Sequence, residues 1–307
     1  MKSNIFSNKI TAVLLAVVVS ILWGTLFPMI KIGYKVFEID TTVVASILLF
    51  AGVRFLISGL ILVAADSKKN KKFELPDMDK FKSICIVSLL TVVVHYALTY
   101  TGLSLAEGSK SSVLKQIAFL IVPCIAFLFR KDDKFSLYKV FAAILGFSSV
   151  IIINLDGMNF VLGIGEILII LASFSSMFGQ MASKNIYDKY KPTYIVAYSQ
   201  LLGGIILVIS GLIFGGSIGT ISLQSVAVLG YICFASITAN LLWNTLIKYN
   251  DMSKLAVFKS MDPLFASLFS ALLLGENILK PTYLIGIVLI VLAISVSNHK
   301  PKSRRNF

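Results

Sequence analysis

The chain alternates between long apolar runs and short polar segments. An α-helix needs roughly 20 apolar residues to cross the hydrocarbon core of a bilayer, and ten of the runs reach about that length. The pattern therefore predicts an all-α integral membrane protein with ten transmembrane helices. The predicted spans are Ile10 to Tyr34, Val43 to Ala65, Phe81 to Leu103, Ser109 to Phe129, Leu137 to Asn154, Gly163 to Ser183, Thr193 to Gly215, Leu223 to Leu246, Leu255 to Gly275 and Pro281 to Ser297.

The polar segments differ in charge according to the side of the membrane that they occupy. If both termini share one side, most of the 28 Lys and Arg residues fall there, including the six lysines between positions 68 and 82 and the C-terminal tail. Positively charged loops stay in the cytoplasm, so we predict that both termini are cytoplasmic. We expect the chain to lie in the cytoplasmic membrane of a bacterium. The opposite side receives Lys31, Lys35, Lys110 and Lys280.

An internal repeat relates the two halves of the chain. The segment SKSSVLK at 109–115 matches SKLAVFK at 253–259 in Ser, Lys, Val and Lys at the same spacing. Each segment opens the fourth helix of a predicted five-helix half, 1–156 and 157–307. Because five is an odd number, the second half enters the membrane from the opposite side. The sequence thus predicts two inverted repeats around a central cavity.

Composition supports this interpretation and excludes other classes of protein. Hydrophobic residues make up 57% of the chain and charged residues 14%, with a mean hydropathy of +0.89. Cytoplasmic loops explain the net charge of +13, since no basic stripe with interleaved aromatic residues predicts a nucleic-acid partner. Cys85, Cys124 and Cys233 form no CxxC pair, so neither a disulfide framework nor a metal site follows, and we expect no cofactor.

Several short motifs lie in or next to the predicted spans: Leu22-Trp23-Gly24 with Phe27 and Pro28, Arg54-Phe55-Leu56, Pro123, Pro263-Leu264-Phe265, Leu274-Gly275-Glu276 and Gly286. Together they resemble the EamA family of the drug/metabolite transporter superfamily. The resemblance implies ten helices, a basket-like central cavity and transport of small metabolites, often export of amino acids or related compounds. It leaves the substrate open among amino acids, nucleotide sugars, phosphorylated sugars and drugs.

Charged residues within the predicted spans are candidates for substrate binding. Placing an ionisable side chain in the membrane costs about 2.5–3.5 kcal/mol on insertion scales, which makes a functional role the default hypothesis. Lys115 and Lys259 lie at similar depths from opposite surfaces. They can bind a carboxylate or phosphate of the substrate, or else extend to the headgroups. Asp262 can pair with Lys259 on one helix face, and Arg54 matches the family's arginine in span two, which implies a gating or structural role.

Polar and aromatic residues at helical spacing add further candidates. They bind substrate or, alternatively, only join helices by hydrogen bonds. His95 can couple transport to protons or form a packing hydrogen bond. Pro28, Pro123 and Pro263 are candidates for gating or structure. The candidate substrate-binding residues of this class are Trp23, Phe27, His95, Tyr96, Thr99, Gln180, Asn240, Trp243 and Asn244.

Two further features concern the helix surfaces and ends. Gly203, Gly204, Gly211, Gly215 and Gly219 include small-xxx-small spacing, which predicts either a packing seam within one protomer or a dimer face. The protein is accordingly expected to be a monomer or a homodimer. The carboxylates at 107 and 276 lie at predicted helix ends, where we expect them to be solvated.

Four functions compete. The leading hypothesis is export of an amino acid or related carboxylate-bearing compound by alternating access. Uptake of an anionic nutrient and lipid flipping are alternatives. An enzyme is disfavoured because the chain has no HExxH, GxSxG or Walker motif.

Overall fold

A computed structural model describes residues 6, 8–71, 74–118, 137–153, 155–156, 159–160, 162–187, 189–250, 261–277 and 280–297. These residues are helical apart from turns and a two-stranded antiparallel hairpin, β1 (Leu155–Asp156) and β2 (Asn159–Phe160). Most of the predicted fourth span and the start of the ninth lie outside the described residues. Pro123 and Lys259 therefore also lie outside them.

The described helices follow one another in the order of the predicted spans. Span three is continuous but contains a π-helical segment, Leu89–Val94, between two α-helices. The α-helices are α1 (Lys9–Val36), α2 (Val44–Asn70), α3 (Met78–Ser88), α4 (His95–Leu105), α5 (Gly108–Leu114), α6 (Leu137–Ile153), α7 (Ile164–Ile186), α8 (Pro192–Ile213), α9 (Leu223–Tyr249), α10 (Met261–Leu274) and α11 (Pro281–Ser297).

Within the described residues, six helical stretches are long and apolar enough to cross a membrane. They correspond to predicted spans one, two, three, six, seven and eight. Large apolar side chains cover their outer surface, as expected where a helix faces lipid. The chain is a multi-pass membrane protein. The six stretches are Ile10–Val36, Val44–Lys68, Met78–Leu105, Ile164–Ser183, Pro192–Ile213 and Leu223–Tyr249.

Polar residues begin several helices. The Asn8 carboxamide accepts a 2.9 Å hydrogen bond from the Ile10 amide at the start of α1. Asp77 lies outside the membrane span, and its carboxylate accepts a 2.9 Å hydrogen bond from the amide of Lys80. This hydrogen bond lowers the pKa of Asp77. These caps satisfy amide groups that have no partner within the helix.

The most extensive helix packing joins α2 to α8 in antiparallel orientation. Glycines on both helices allow their backbones to approach closely. A Cβ atom added at Gly59 would lie 2.4 Å from the amide nitrogen of Leu201, so only glycine fits there. The contacts of this α2–α8 seam join Gly52 to Val208, Gly59 to Leu201, Gly204 to Leu56 and Gly211 to Leu49.

The glycine series on and after α8 therefore packs within the chain at four of its five positions. Gly204 and Gly211 contact α2, and Gly203 contacts Val92 of the π-helical segment. A Cβ at Gly219 would lie 2.8 Å from the carbonyl oxygen of Phe37. At Gly215, where φ is +77°, no atom of the described residues lies within 4 Å of a Cβ. These contacts account for four of the five glycines without a second copy of the chain.

The remaining helices pack in pairs around the centre of the bundle. Helix α1 packs against α9 and α10, α4 packs against α7, α5 against α10, and α6 against α11. A Cβ at Gly24 of α1 would lie 2.7 Å from the Cβ of Phe265, so α1 and α10 are in close contact. The main apolar core, around Phe50, Phe55 and Tyr100, lies between α1, α2 and α4. The arrangement leaves α1, α4, α7 and α9 around a central cavity.

Candidate functional site

A cavity of about 120 Å³ lies in the middle of the bundle. This volume admits several water molecules or one small metabolite. Every predicted substrate-binding residue that the structure describes lines it, and so does Arg54. The cavity thus gathers residues that are far apart in sequence: Trp23, Phe27, His95, Tyr96, Thr99, Lys115, Gln180, Asn240, Trp243, Asn244 and Asp262.

Aromatic rings surround the ammonium group of Lys115. Its Nζ atom lies 5.5 Å from the centre of the Phe27 ring and 5.9 Å from that of Tyr96. Lys115 follows the last residue of α5, and its amide donates to the Ser111 carbonyl, so the end of this short helix positions the side chain. The rings stabilise the cation in a site of low polarity by cation–π interaction.

Arg54 is the largest fully buried side chain among the described residues. Its guanidinium carbon lies 4.5 Å from the Phe55 ring centre and 5.3 Å from that of Tyr96. The Nη1 group donates to the hydroxyl of Tyr100. Its Nε and Nη2 atoms have no hydrogen-bond partner among the described residues. The side chain therefore faces protein, and one edge of its guanidinium remains available.

His95 begins α4 directly after the π-helical segment. Its Nδ1 atom lies 2.8 Å from the Ala172 carbonyl of α7; since a carbonyl only accepts, Nδ1 donates this bond. The imidazole packs edge-on against Tyr96, with ring centres 4.4 Å apart. π-Helical segments often occur at functional sites, where they change the direction of neighbouring side chains. Here the segment places Thr91 and His95 in the cavity wall.

Hydrogen bonds between α7 and α9 form another wall. The Trp243 indole donates to the Gln180 carboxamide over 3.2 Å, and the Tyr187 hydroxyl donates to Asn244. Trp243 also packs edge-on against Trp23 of α1, with ring centres 5.4 Å apart. Asn240 instead donates a 2.9 Å hydrogen bond to the Ser236 carbonyl of its own helix. The polar stripes thus join helices at some positions and line the cavity at others.

Asp262 brings a carboxyl group to the cavity from the first turn of α10. Its side chain is buried, and Pro263 beside it is also buried. The Ser267 hydroxyl donates to the Pro263 carbonyl over 2.5 Å. On α1, Pro28 has no amide hydrogen, so the carbonyl of Gly24 lacks its usual helical donor. Both prolines therefore lie next to cavity-lining residues.

Glu276 links three segments at the end of the bundle away from the N-terminus. One carboxylate oxygen lies 3.4 Å from Lys31 Nζ of α1 and accepts a 2.9 Å hydrogen bond from the Gly108 amide at the start of α5. Its side chain is only 11% exposed, so the expectation of a solvated carboxylate was wrong. A second ion pair, Lys110 to Glu166 at 3.3 Å, joins α5 to α7 nearby. Together these contacts form an ion-pair cluster at this end of the bundle.

Sequence reasoning did not single out several residues that line the cavity. Gln116 follows Lys115, while Ser199 and Gln200 lie on α8 and Tyr187 ends α7. Gln116, Ser199 and Gln200 each have a buried side-chain oxygen without a hydrogen-bond partner among the described residues. Polarity within an apolar span was the available signal for these residues, but the sequence did not show which helix face is internal.

Comparisons with known proteins agree with this architecture. A transporter of Bacillus subtilis named YvbV, described as uncharacterized, is 27% identical over 299 residues, covering 96% of this chain and 93% of the relative. The uncharacterized inner membrane transporter YedA of Escherichia coli K12 is 24% identical over 282 residues, covering 89% and 87%. One crystal structure shares the fold, with a TM-score of 0.63 at 17% identity over 93% of this chain and 95% of its own.

The family assignment rests on two separate matches along the chain. Residues 10–155 and 163–298 each match the EamA-like transporter family. The relatives are named as transporters, and the match covers most of the chain. This chain therefore belongs to the EamA-like transporter family of membrane transporters.

Proposed function

We propose that the protein exports an amino acid or a related carboxylate-bearing compound by alternating access. One observation carries this proposal: Lys115 and Asp262 line the same buried cavity. An α-amino acid presents a carboxylate and an ammonium group together, so it needs a cation and an anion in one site. At about 120 Å³ the cavity suits a small metabolite better than a drug-sized ligand, whose pockets measure about 300–1,000 Å³.

In this mechanism Lys115 binds the substrate carboxylate. Charge-assisted hydrogen bonds are stronger than neutral ones, and the surrounding rings of Phe27 and Tyr96 lower the local polarity. Asp262 attracts the substrate's ammonium group because its carboxylate has the opposite charge. Lys259 is proposed to contribute a second cation from its half of the chain. Trp23 and Trp243 bound the cavity and exclude bulky ligands.

Alternating access rests on two inverted halves, divided as 1–156 and 157–307. The α2–α8 seam supports this division because its contacts have two-fold symmetry. Gly204 lies the same number of positions after Gly52 as Val208 lies after Leu56. This shift along the chain therefore converts the Gly52–Val208 contact into the Gly204–Leu56 contact. The same shift converts the Gly211–Leu49 contact and the Gly59–Leu201 contact into each other. Such reciprocal contacts are what a pseudo-two-fold axis between ten helices in two halves produces.

The closed end of the bundle supports rocking motion about this axis. The cavity includes Tyr187, which ends α7 on the side of the N-terminus, whereas the ion-pair cluster of Glu276 closes the other end. If both termini are cytoplasmic, as proposed, the structure is closed toward the outside. Export then requires the Glu276 and Glu166 ion pairs to separate as the cytoplasmic side closes.

Counterflow in proteoliposomes tests this function. Vesicles loaded with one unlabelled compound from a panel of amino acids, organic acids and phosphorylated sugars receive the labelled compound outside. We expect labelled amino acid to accumulate with wild-type protein. Lys115→Ala and Lys259→Ala should each reduce the rate of amino acid accumulation roughly 10- to 100-fold. This is the effect expected from the loss of one charge-assisted hydrogen bond.

Lys280→Ala serves as the matched control because Lys280 is exposed. It should exchange substrate at the wild-type rate. Exchange that survives both Lys115→Ala and Lys259→Ala would show that these lysines only reach toward the headgroups. Absence of exchange for every compound, together with movement of labelled phospholipid, would replace this function by lipid flipping.

A further inference from the structure

We infer that Arg54 is a second anion-binding residue of the cavity and that the substrate is an acidic amino acid with two carboxylates. This inference rests on the proposed function and specifies its substrate. It starts from the guanidinium, which is fully buried and lines the cavity. Among the described residues no carboxylate lies within ion-pair distance of it.

The geometry of the guanidinium indicates the chemistry of its ligand. Nη1 is occupied by the Tyr100 hydroxyl, whereas Nε and Nη2 donate to none of the described residues. These two groups form one planar edge, and such an edge binds the two oxygens of a carboxylate side by side. Two buried N–H groups without acceptors are costly, so a ligand that supplies both acceptors removes the penalty.

Aromatic rings keep this cation in place without neutralising it. Phe55, Tyr96 and Tyr100 lie around the guanidinium, at 4.5, 5.3 and 5.7 Å from its carbon to the ring centres. Cation–π contacts stabilise the charge but leave its in-plane donors unused. The rings therefore orient Arg54 while its Nε–Nη2 edge remains able to bind an anion.

Arg54 and Lys115 belong to one site because both approach Tyr96. The Arg54 carbon lies 5.3 Å from the centre of this ring and Lys115 Nζ lies 5.9 Å from it. Two cations beside one ring favour a ligand with two anionic groups.

The charged residues that line the cavity, within the part of the chain that the structure describes, favour an acidic amino acid over a phosphate ester. They are the two cations Lys115 and Arg54 and the carboxylate of Asp262. An amino acid with two carboxylates and one ammonium group offers each of the three a partner of opposite charge. Its ammonium suits Asp262, whereas a phosphate dianion would be repelled by this carboxylate. Buried amide oxygens of Gln116 and Gln200 are further acceptors for an ammonium group.

Counterflow with two isosteric pairs of compounds tests the inference. Glutamate and glutamine differ by one carboxylate in place of an amide, as do aspartate and asparagine. We expect wild-type protein to exchange the acidic member at least about tenfold faster at equal, subsaturating concentration. Arg54→Lys keeps the charge but lacks the bidentate edge, so the ratio of acidic to amide exchange should fall toward one, whatever the absolute rates are.

Leu60→Ala is the control on the same helix, since Leu60 is exposed on the outer face of α2. It should retain the wild-type preference. A preference that persists in folded Arg54→Lys protein overturns the role of Arg54, and equal exchange of acid and amide by wild type overturns the substrate class. Either result leaves amino acid transport intact. If no amino acid exchanges at all, the proposed function fails together with this inference.

The wild-type comparison remains decisive if Arg54→Lys does not fold. In that case the melting temperature of purified wild-type protein in detergent is measured with glutamate and with glutamine. Binding to the folded state raises the melting temperature, so glutamate alone should raise it. Equal effects of glutamate and glutamine would contradict the inference.

Discussion

At the residue scale, the sequence predicted which side chains are unusual but not how they are arranged. A charged residue within an apolar run is conspicuous because of its insertion cost, and this identified Lys115, Asp262 and Arg54. Their common cavity depends on contacts between helices that are distant in sequence. The available edge of Arg54 depends on Tyr100, and no local pattern predicts that partner.

His95 illustrates a choice that the sequence left open. Its Nδ1 donates to the Ala172 carbonyl and its ring packs on Tyr96, which favours the packing role over proton coupling. His95→Asn can keep a donor near the Nδ1 position without a titratable ring. We expect this variant to transport with the pH dependence of wild type.

Counterflow measured across the neutral pH range checks the prediction for His95. His95→Leu, which has no donor for the Ala172 carbonyl, should be less stable than His95→Asn. A pH profile that becomes flat in His95→Asn would instead identify the imidazole as the proton-coupling group.

At the scale of elements, the predicted apolar runs correspond to the long helices because hydrophobic length is a local property. Six of the ten predicted spans are long apolar helices in the described residues. The π-helical segment at Leu89–Val94 was not predicted, since nothing in LLTVVV distinguishes it from an α-helix. Its register is set by contacts with α7 and α8.

The α2–α8 seam gives a stability prediction. Gly59→Ala places a Cβ 2.4 Å from the Leu201 backbone nitrogen, and overpacking of this kind costs about 1–3 kcal/mol. Gly230→Ala on α9 is the matched control, because no atom of the described residues lies within 4 Å of the added Cβ. A helical Gly→Ala change without a clash stabilises by up to about 1 kcal/mol.

Thermal unfolding in detergent compares the two glycine variants. The melting temperature should fall for Gly59→Ala and stay unchanged or rise for Gly230→Ala. An unchanged melting temperature in Gly59→Ala would mean that α2 and α8 are not closely packed in the protein.

The ion-pair cluster at the closed end gives a prediction about motion. Glu276→Gln removes the charge that holds Lys31 and weakens the bond from the Gly108 amide. The closed end should then open more often. Glu107→Gln is the control, since Glu107 is exposed and belongs to neither the Lys31–Glu276 nor the Lys110–Glu166 ion pair.

Cysteine labelling measures this opening. In protein without its native cysteines, Ser176→Cys places a thiol in the cavity. A membrane-impermeant maleimide added from the side of the Glu276 cluster should label it several-fold faster in Glu276→Gln. Equal rates in wild type, Glu107→Gln and Glu276→Gln would show that the cluster does not control access.

At the scale of the whole molecule, the helical membrane class and the family followed from the sequence, whereas the substrate did not. The two family matches fall on the two proposed halves, and the symmetric contacts of the α2–α8 seam support their inverted relationship. Chain-wide periodicity and motifs such as Trp23-Gly24 and Gly275-Glu276 carry that information. The proposed substrate rests on a few side-chain edges in the cavity, and these became visible only in three dimensions.

The central claim is that the cavity binds amino acids and opens to each membrane surface in turn. Measuring access to the cavity from both surfaces tests this claim most directly. The measurement is the labelling rate of Ser176→Cys by an impermeant maleimide, applied to vesicles of each orientation in turn, with and without an equimolar mixture of the proteinogenic amino acids. The account predicts labelling from both sides and slower labelling when the amino acids are present. Labelling from one side only, at a rate that the amino acids do not change, would contradict it.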